Sequence, residues 1–229
     1  MGPLPPCADR PQWIDSGGVD IEDCVHGWDA GEHQRDEGHR TNNQVGEEAG
    51  EGQGEEGRLG GVRLREQRAE QQVEALNHAL RNVPAERVRM HICWGNYEGP
   101  HHHDIELKRI IGLVCKAKPA TILFEGANPR HAHEWEVWAD AQKKGQLPDD
   151  KILCPGVLDS VNNFIEHPRL IAQRLLTYAN IVGRERVMAG TDCGFGTFAG
   201  FGAIHPSIGF AKLKSMSEGA AMASKELWS

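Results

Sequence analysis

Four short apolar runs, Arg87–Trp94, Ala120–Phe124, Ile152–Leu158 and Arg186–Ala189, are each followed by a stretch with helical spacing or a helix stop signal. Regular strand-then-helix alternation predicts a parallel sheet with crossover helices. The expected helices are Asp104–Val114 with Asp104 as N-cap, His131–Lys144 closed by Gly145, Pro168–Ile181 closed by Gly183, and Pro206–Ala223 with proline in the first turn. A further helix is expected around Gln71–Arg81, where Val73, Leu76 and Leu80 recur at helical intervals. No Gly-x-Gly-x-x-Gly follows the first strand, which disfavours a dinucleotide site.

The strand ends carry the chemistry. In Arg87-Val-Arg-Met-His91-Ile-Cys93-Trp, residues 91 and 93 point to one face, so an imidazole and a thiol converge. Glu125-Gly ends the second strand and Asp192-Cys193-Gly follows the fourth. Each of these residues alone is more often buried core or a helix cap than a ligand. Together, one nitrogen, two sulfurs and one carboxylate suit Zn²⁺ far better than Mg²⁺ or Ca²⁺, which take all-oxygen sites. His101-His-His103 follows a Gly-Pro pair and reads as a loop, with one imidazole behind the metal or against a substrate, or with all three simply solvated. His131 and His133 are expected on the surface, and Trp135 and Trp138 in helix packing. Gly194-Phe-Gly-Thr-Phe-Ala-Gly-Phe-Gly is expected to form an apolar wall over the metal.

Charge divides the chain. Residues 1–60 hold fourteen Asp/Glu against four Arg, a net of −10, while the remainder carries a net of +2. Residues 1–65 are therefore expected to be a low-complexity acidic segment, disordered or non-native, and residues 66–229 the folded part. Arg is frequent but no Lys precedes Lys108, so a start translated from the wrong frame is one reading and a natural acidic tail the other. No basic patch interleaved with aromatics points to nucleic acid, and no apolar run reaches membrane-spanning length. Without a signal-like start, the six cysteines (Cys7, Cys24, Cys93, Cys115, Cys154, Cys193) fit a reducing, cytoplasmic setting. Cys115 and Cys154 read as small buried hydrophobes.

His91-Ile-Cys93, Glu125-Gly, Pro155-Gly-Val-Leu-Asp159 and Thr191-Asp-Cys193-Gly resemble, in order and spacing, the C-terminal catalytic domain of cobalamin-independent methionine synthase and its single-domain relatives, which include the epoxyalkane–coenzyme M transferases. The resemblance runs over roughly residues 70–215. It implies a TIM-type (β/α)₈ barrel, here only its C-terminal half, the last four β/α units. It implies Zn²⁺ held by His91, Cys93, Glu125 and Cys193, with an acceptor thiol taking the remaining position and attacking an alkyl donor. Asp159 carries over as a catalytic residue that holds an amine or donates through water. The partners implied are a small-molecule thiol and an alkyl donor, with no nucleic acid and no membrane; the open sheet edges of a half-barrel add self-association. The family histidine two residues after that Asp is Val161 here, which points to an alkyl donor other than folate. The alternatives are a truncated, non-catalytic zinc-binding half-barrel, or an epoxyalkane–coenzyme M transferase-like enzyme.

Overall fold

The computed structural model describes residues 55–196 and 204–229, with side chains from residue 63 onward. Cys7, Cys24, the acidic segment up to residue 54, and most of the Gly/Phe-rich stretch fall outside the described residues.

Three parallel strands form the sheet in the order β1 (Arg89–Ile92), β2 (Thr121–Phe124), β3 (Ile152–Pro155). The register sets His91 opposite Leu123 and Leu123 opposite Cys154. The expected fourth strand exists only as two isolated parallel bridges, Leu153 to Val187 and Gly156 to Gly190. Met188 N–H donates to Leu153 O at 2.9 Å and Gly190 N–H to Pro155 O at 3.1 Å, so the segment does run beside β3. Pro155 explains the incomplete ladder. It has no N–H at the position where the alternation would place a donor toward residue 188.

The helices are α1 (Glu55–Ala79), α2 (Leu107–Val114), α3 (Trp135–Lys143), α4 (Pro168–Val182) and α5 (Pro206–Leu227). Helix α1 begins upstream of the expected boundary and runs through residues 55–65. Its Glu, Arg and Leu content favours helix even where few apolar groups are available to bury. Helix α2 starts three residues later than expected, and Asp104 does not cap it. The N-terminal amide of Leu107 is satisfied by Glu134 Oε1 at 2.9 Å, a cap supplied from another element. Gly145 and Gly183 close α3 and α4 with φ of 65° and 90°, the left-handed conformation that glycine tolerates.

Parallel strands are buried on both faces, which is why β2 reads as the unbroken run Thr-Ile-Leu-Phe. Ile122, Leu153, Phe124 and Trp138 form the centre of the core, with the Phe124 and Trp138 rings 4.5 Å apart. Trp138 is buried as expected, whereas Trp135 is partly exposed. A second cluster lies between α4 and α5, around Ile171, Ala172, Leu175 and Ala223. Lys151, buried beneath α2, donates to the carbonyls of Ala117 at 2.7 Å and Pro119 at 2.8 Å. Those carbonyls follow the C-terminus of α2, where a cation suits the dipole. No described helix is long and apolar enough to cross a membrane.

Candidate metal centre

All the sequence-predicted ligands arrive at the C-terminal edge of the sheet. His91 lies in β1 and Cys93 just past its end, Glu125 follows β2, and Cys193 sits in the turn after the fourth, incomplete strand. Donor atoms of His91, Cys93 and Cys193 all lie within 4.8 Å of one another. Cys193 Sγ is 3.4 Å from His91 Nε2 and 3.8 Å from Glu125 Oε1. Bond lengths of roughly 2.0–2.3 Å from nitrogen and sulfur to zinc put neighbouring ligand atoms about 3.3–3.8 Å apart in a tetrahedron. The nitrogen–sulfur distance therefore fits one ion between them. Glu125 stands beside the trio, its carboxylate engaged by Trp94 N–H at 3.1 Å on Oε1 and by the Asn128 side-chain amide at 2.7 Å on Oε2. The donor set is soft, as zinc prefers.

The surroundings hold Cys93 toward its ionised form and the other three donors toward their protonated forms. The neighbouring Cys193 thiol lowers the Cys93 thiol against the opposing effect of burial, with His91 lowering it further. Cys193 is raised by the proximity of Cys93 and by burial. Burial alone would lower His91, but the hydrogen bond and charge of Cys93 outweigh it and raise the imidazole. Burial pushes the Glu125 carboxyl up to about 7. A cation in the middle of these groups would displace their protons. Cys115 and Cys154 are different: burial pushes both thiols up to about 11, the behaviour of inert core cysteines.

The ligand loops are held by groups the sequence reading did not single out. Asp192, next to Cys193, turns its carboxylate inward and accepts the backbone amides of Gly126 and Ala127 on Oδ1, at 2.8 and 2.9 Å, and of Asn128 on Oδ2, at 2.8 Å. Burial raises this carboxyl while those three amides lower it. Asn96, beyond β1, donates to Gly194 O at 2.8 Å and accepts from Ser160 Oγ at 3.0 Å, tying three loops together. Arg174 of α4 donates to Val157 O at 2.9 Å and Ala127 O at 3.1 Å. The only signal in the sequence for Asp192 was its adjacency to a candidate ligand.

His131 is buried, not on the surface. Its ring stacks on Trp94 at 3.9 Å, with Nδ1 2.9 Å from Glu134 Oε2 and Nε2 3.1 Å from Asp104 Oδ2. Burial would lower this imidazole, but the hydrogen bonds of Asp104 and Glu134 raise it to about 9. Glu125 Oε2 lies 4.0 Å from the same Nε2, so His131 backs the predicted carboxylate ligand. His133 is exposed, as expected.

A cavity of about 320 Å³ opens beside Cys193, lined by Cys193, Glu125, Asp159, His101 and Arg130 among others. Asp159 is buried. Its Oδ1 accepts the Val161 amide at 2.8 Å, and its own amide donates to Glu166 Oε1 at 2.8 Å. Glu166 is in turn paired with the fully buried Lys212 of α5 at 2.9 Å. The loop bearing Asp159 is thus fixed from below, and Asp159 lines the same cavity as Cys193. Of the three consecutive histidines, His101 lines the cavity, while His102 and His103 are exposed.

No family model matches the chain. Methionine synthase of Saccharolobus solfataricus (strain ATCC 35092 / DSM 1617 / JCM 11322 / P2) is 29% identical over 159 residues, which cover 68% of this chain and 40% of that protein. A B12-independent methionine synthase from Shewanella sp. W3-18-1, solved in complex with selenomethionine, matches with a TM-score of 0.53 at 20% identity, over 68% of this chain and 43% of that one. The structural likeness speaks for the α/β fold. The sequence similarity to methionine synthase is weak and partial. The chain spans about two-fifths of the length of the relatives it matches.

Proposed function

We propose that residues 66–229 form the metal-binding half of a zinc-dependent alkyltransferase that moves a methyl or other alkyl group onto a small-molecule thiol. The observation that carries this reading is the meeting of His91, Cys93 and Cys193 within 4.8 Å, beside Glu125, with Cys193 and Glu125 on the wall of a cavity of about 320 Å³. His91, Cys93, Cys193 and Glu125 would hold the ion. When bound, zinc supplies a Lewis acid beside which a thiol ionises at neutral pH.

The remaining work falls to the chain itself. The cavity places a thiol against an electrophilic carbon, and holding two reactants together lowers the entropic part of the barrier. Two sulfur ligands keep the centre electron-rich, so an acceptor sulfur there stays nucleophilic. Asp159, fixed by Glu166 and Lys212, is the catalytic carboxylate in this reading. It faces the cavity and would hold an amine of a substrate or pass a proton through water. Similarity to methionine synthase supports methyl transfer to homocysteine as one member of the class. As the later half of a TIM-type barrel, the unit would associate with a second copy through the open edge of β1. The four described free thiols suit a reducing, cytoplasmic setting.

Purified chain should hold one zinc per molecule, and its cobalt-substituted form should change its visible spectrum when 2-mercaptoethanol or homocysteine is added. Zinc that is bound but indifferent to every thiol would leave a purely structural site. Absence of stoichiometric zinc would overturn the reading altogether.

A further inference from the structure

Moving carbon from oxygen or nitrogen onto sulfur creates a demand for a proton. The departing heteroatom takes the electron pair of the breaking bond, and without a nearby acid it leaves as a high-energy anion. Most ionisable groups on the cavity wall are already committed. Asp192 is engaged by three backbone amides and Glu125 by Trp94 and Asn128. Asp159 accepts the Val161 amide on Oδ1.

His101 is built differently. Its Nδ1 lies 2.7 Å from Asp104 Oδ2, and both side chains are nearly buried, at 12% and 8% exposure. The same Asp104 oxygen is held from the far side by His131 at 3.1 Å. The ring stacks on Tyr97 at 4.3 Å. Among the described residues its other nitrogen, Nε2, meets only the Tyr97 carbonyl, at 3.1 Å, in a solvent-exposed contact that a substrate atom could replace. His101 is also the one non-glycine residue with positive φ among the described residues, at 50°. Such backbone conformations are costly and persist where the surroundings impose them, often at functional sites. An imidazole with a carboxylate on one nitrogen and the cavity at the other has the arrangement of an oriented general acid.

We propose that His101, oriented by Asp104, is the acid that protonates the departing heteroatom of the alkyl donor. This inference rests on the alkyltransferase reading. As the S–C bond forms, the C–O or C–N bond breaks, its electron pair goes to the heteroatom, and the Nε2 proton follows. The donor form carries a proton on each ring nitrogen, which is what two oxygen acceptors require. After transfer the ring is neutral, with its remaining proton on Nδ1 toward Asp104. The proton shed by the acceptor thiol restores Nε2 through solvent. Thiol plus alkyl donor therefore gives thioether plus protonated leaving group, in balance.

Two donors with opposite proton demands separate this role from a structural one. Propylene oxide opens to an alkoxide that must be protonated, whereas trimethylsulfonium departs as neutral dimethyl sulfide. With zinc-loaded full chain and 2-mercaptoethanol, His101→Asn should lower the epoxide rate relative to the sulfonium rate by about 10²-fold or more. Asparagine accepts the left-handed backbone, and the sulfonium rate itself reports that the site is intact. Equal loss with both donors, or no loss with either, overturns the role of His101 while leaving the alkyltransferase reading in place. Wild-type chain that holds zinc but transfers from neither donor overturns both. A readout without turnover comes from imidazole ¹H–¹⁵N spectra of the metal-free protein. His101 should show a hydrogen-bonded Nδ1 proton, absent in His101→Asn and shifted in Asp104→Asn; its absence in the wild type overturns the assignment.

Discussion

Asp192 Oδ1 accepts the Gly126 amide at 2.8 Å, and this one bond fastens the turn that carries Glu125 to the turn that carries Cys193. The two residues are far apart in sequence. Their junction leaves no room for side chains: a Cβ at Gly156 would stand 2.7 Å from Asp192 Cα, and one at Gly126 would stand 3.0 Å from Gly156 O.

Replacing Asp192 with Asn should therefore loosen the metal centre without touching a ligand. An amide NH₂ would face at least one backbone N–H that now has an acceptor, and a buried unsatisfied donor costs about 1–3 kcal/mol. Thermal melting should fall accordingly, and zinc affinity should fall with it. Unchanged melting and unchanged zinc affinity would show that the clasp carries no weight.

Cysteines sort into two classes. Cys93→Ser and Cys193→Ser should each abolish stoichiometric zinc, since the hydroxyl that results is a poor ligand for this ion. Cys115→Ala and Cys154→Ala, both in the core, should keep full zinc and lose only about 1 kcal/mol or so of stability through lost packing. Metal analysis of the four purified variants, alongside denaturant titrations, checks both halves of the statement.

Gly219 reverses the usual rule for helices. A glycine in the middle of α5 should gain nearly 1 kcal/mol on becoming alanine. Here the new Cβ would stand 2.6 Å from Ile171 Cβ and from Pro168 O, where α4 and α5 pack. Overpacking of this kind costs about 1–3 kcal/mol. Gly219→Ala should thus lower the urea midpoint, while Gly112→Ala, with open space around it, should raise or preserve it.

His131 gives the metal-free chain a pH signature. Its folded-state pKa of about 9 lies above the ordinary 6.5. The protonated ring is thus favoured by folding, so its stabilisation is complete below about pH 6.5 and is lost as pH rises toward 9. Between those limits wild-type stability should fall by more than that of His131→Gln, the difference being about 2–3 kcal/mol. Parallel pH curves for the two proteins would remove His131 from the account.

Several of these features were legible in the residues alone. Alternation gave the parallel sheet, and the side-chain period of two placed His91 and Cys93 on one face. Cys115 and Cys154 read correctly as core because they sit within apolar patterns. The fourth strand was harder to read, because Pro155 in the neighbouring strand, not anything in residues 186–190, breaks the ladder.

Local pattern also misplaced His131, which opens a helical segment and by periodicity belongs on the surface. Its burial follows from Trp94, Asp104 and Glu134, which meet it only after the chain has folded. Asp104 looked like a helix cap for the same reason, and became instead the carboxylate between two histidines. Sequence determined which chemistry the strand ends could carry, because spacing and residue type are local properties of the chain. Tertiary structure alone decided that Asp192 would clasp one ligand loop to another and that His101 would face the cavity. Such contacts depend on where distant backbone segments come to rest, and no short-range periodicity encodes them.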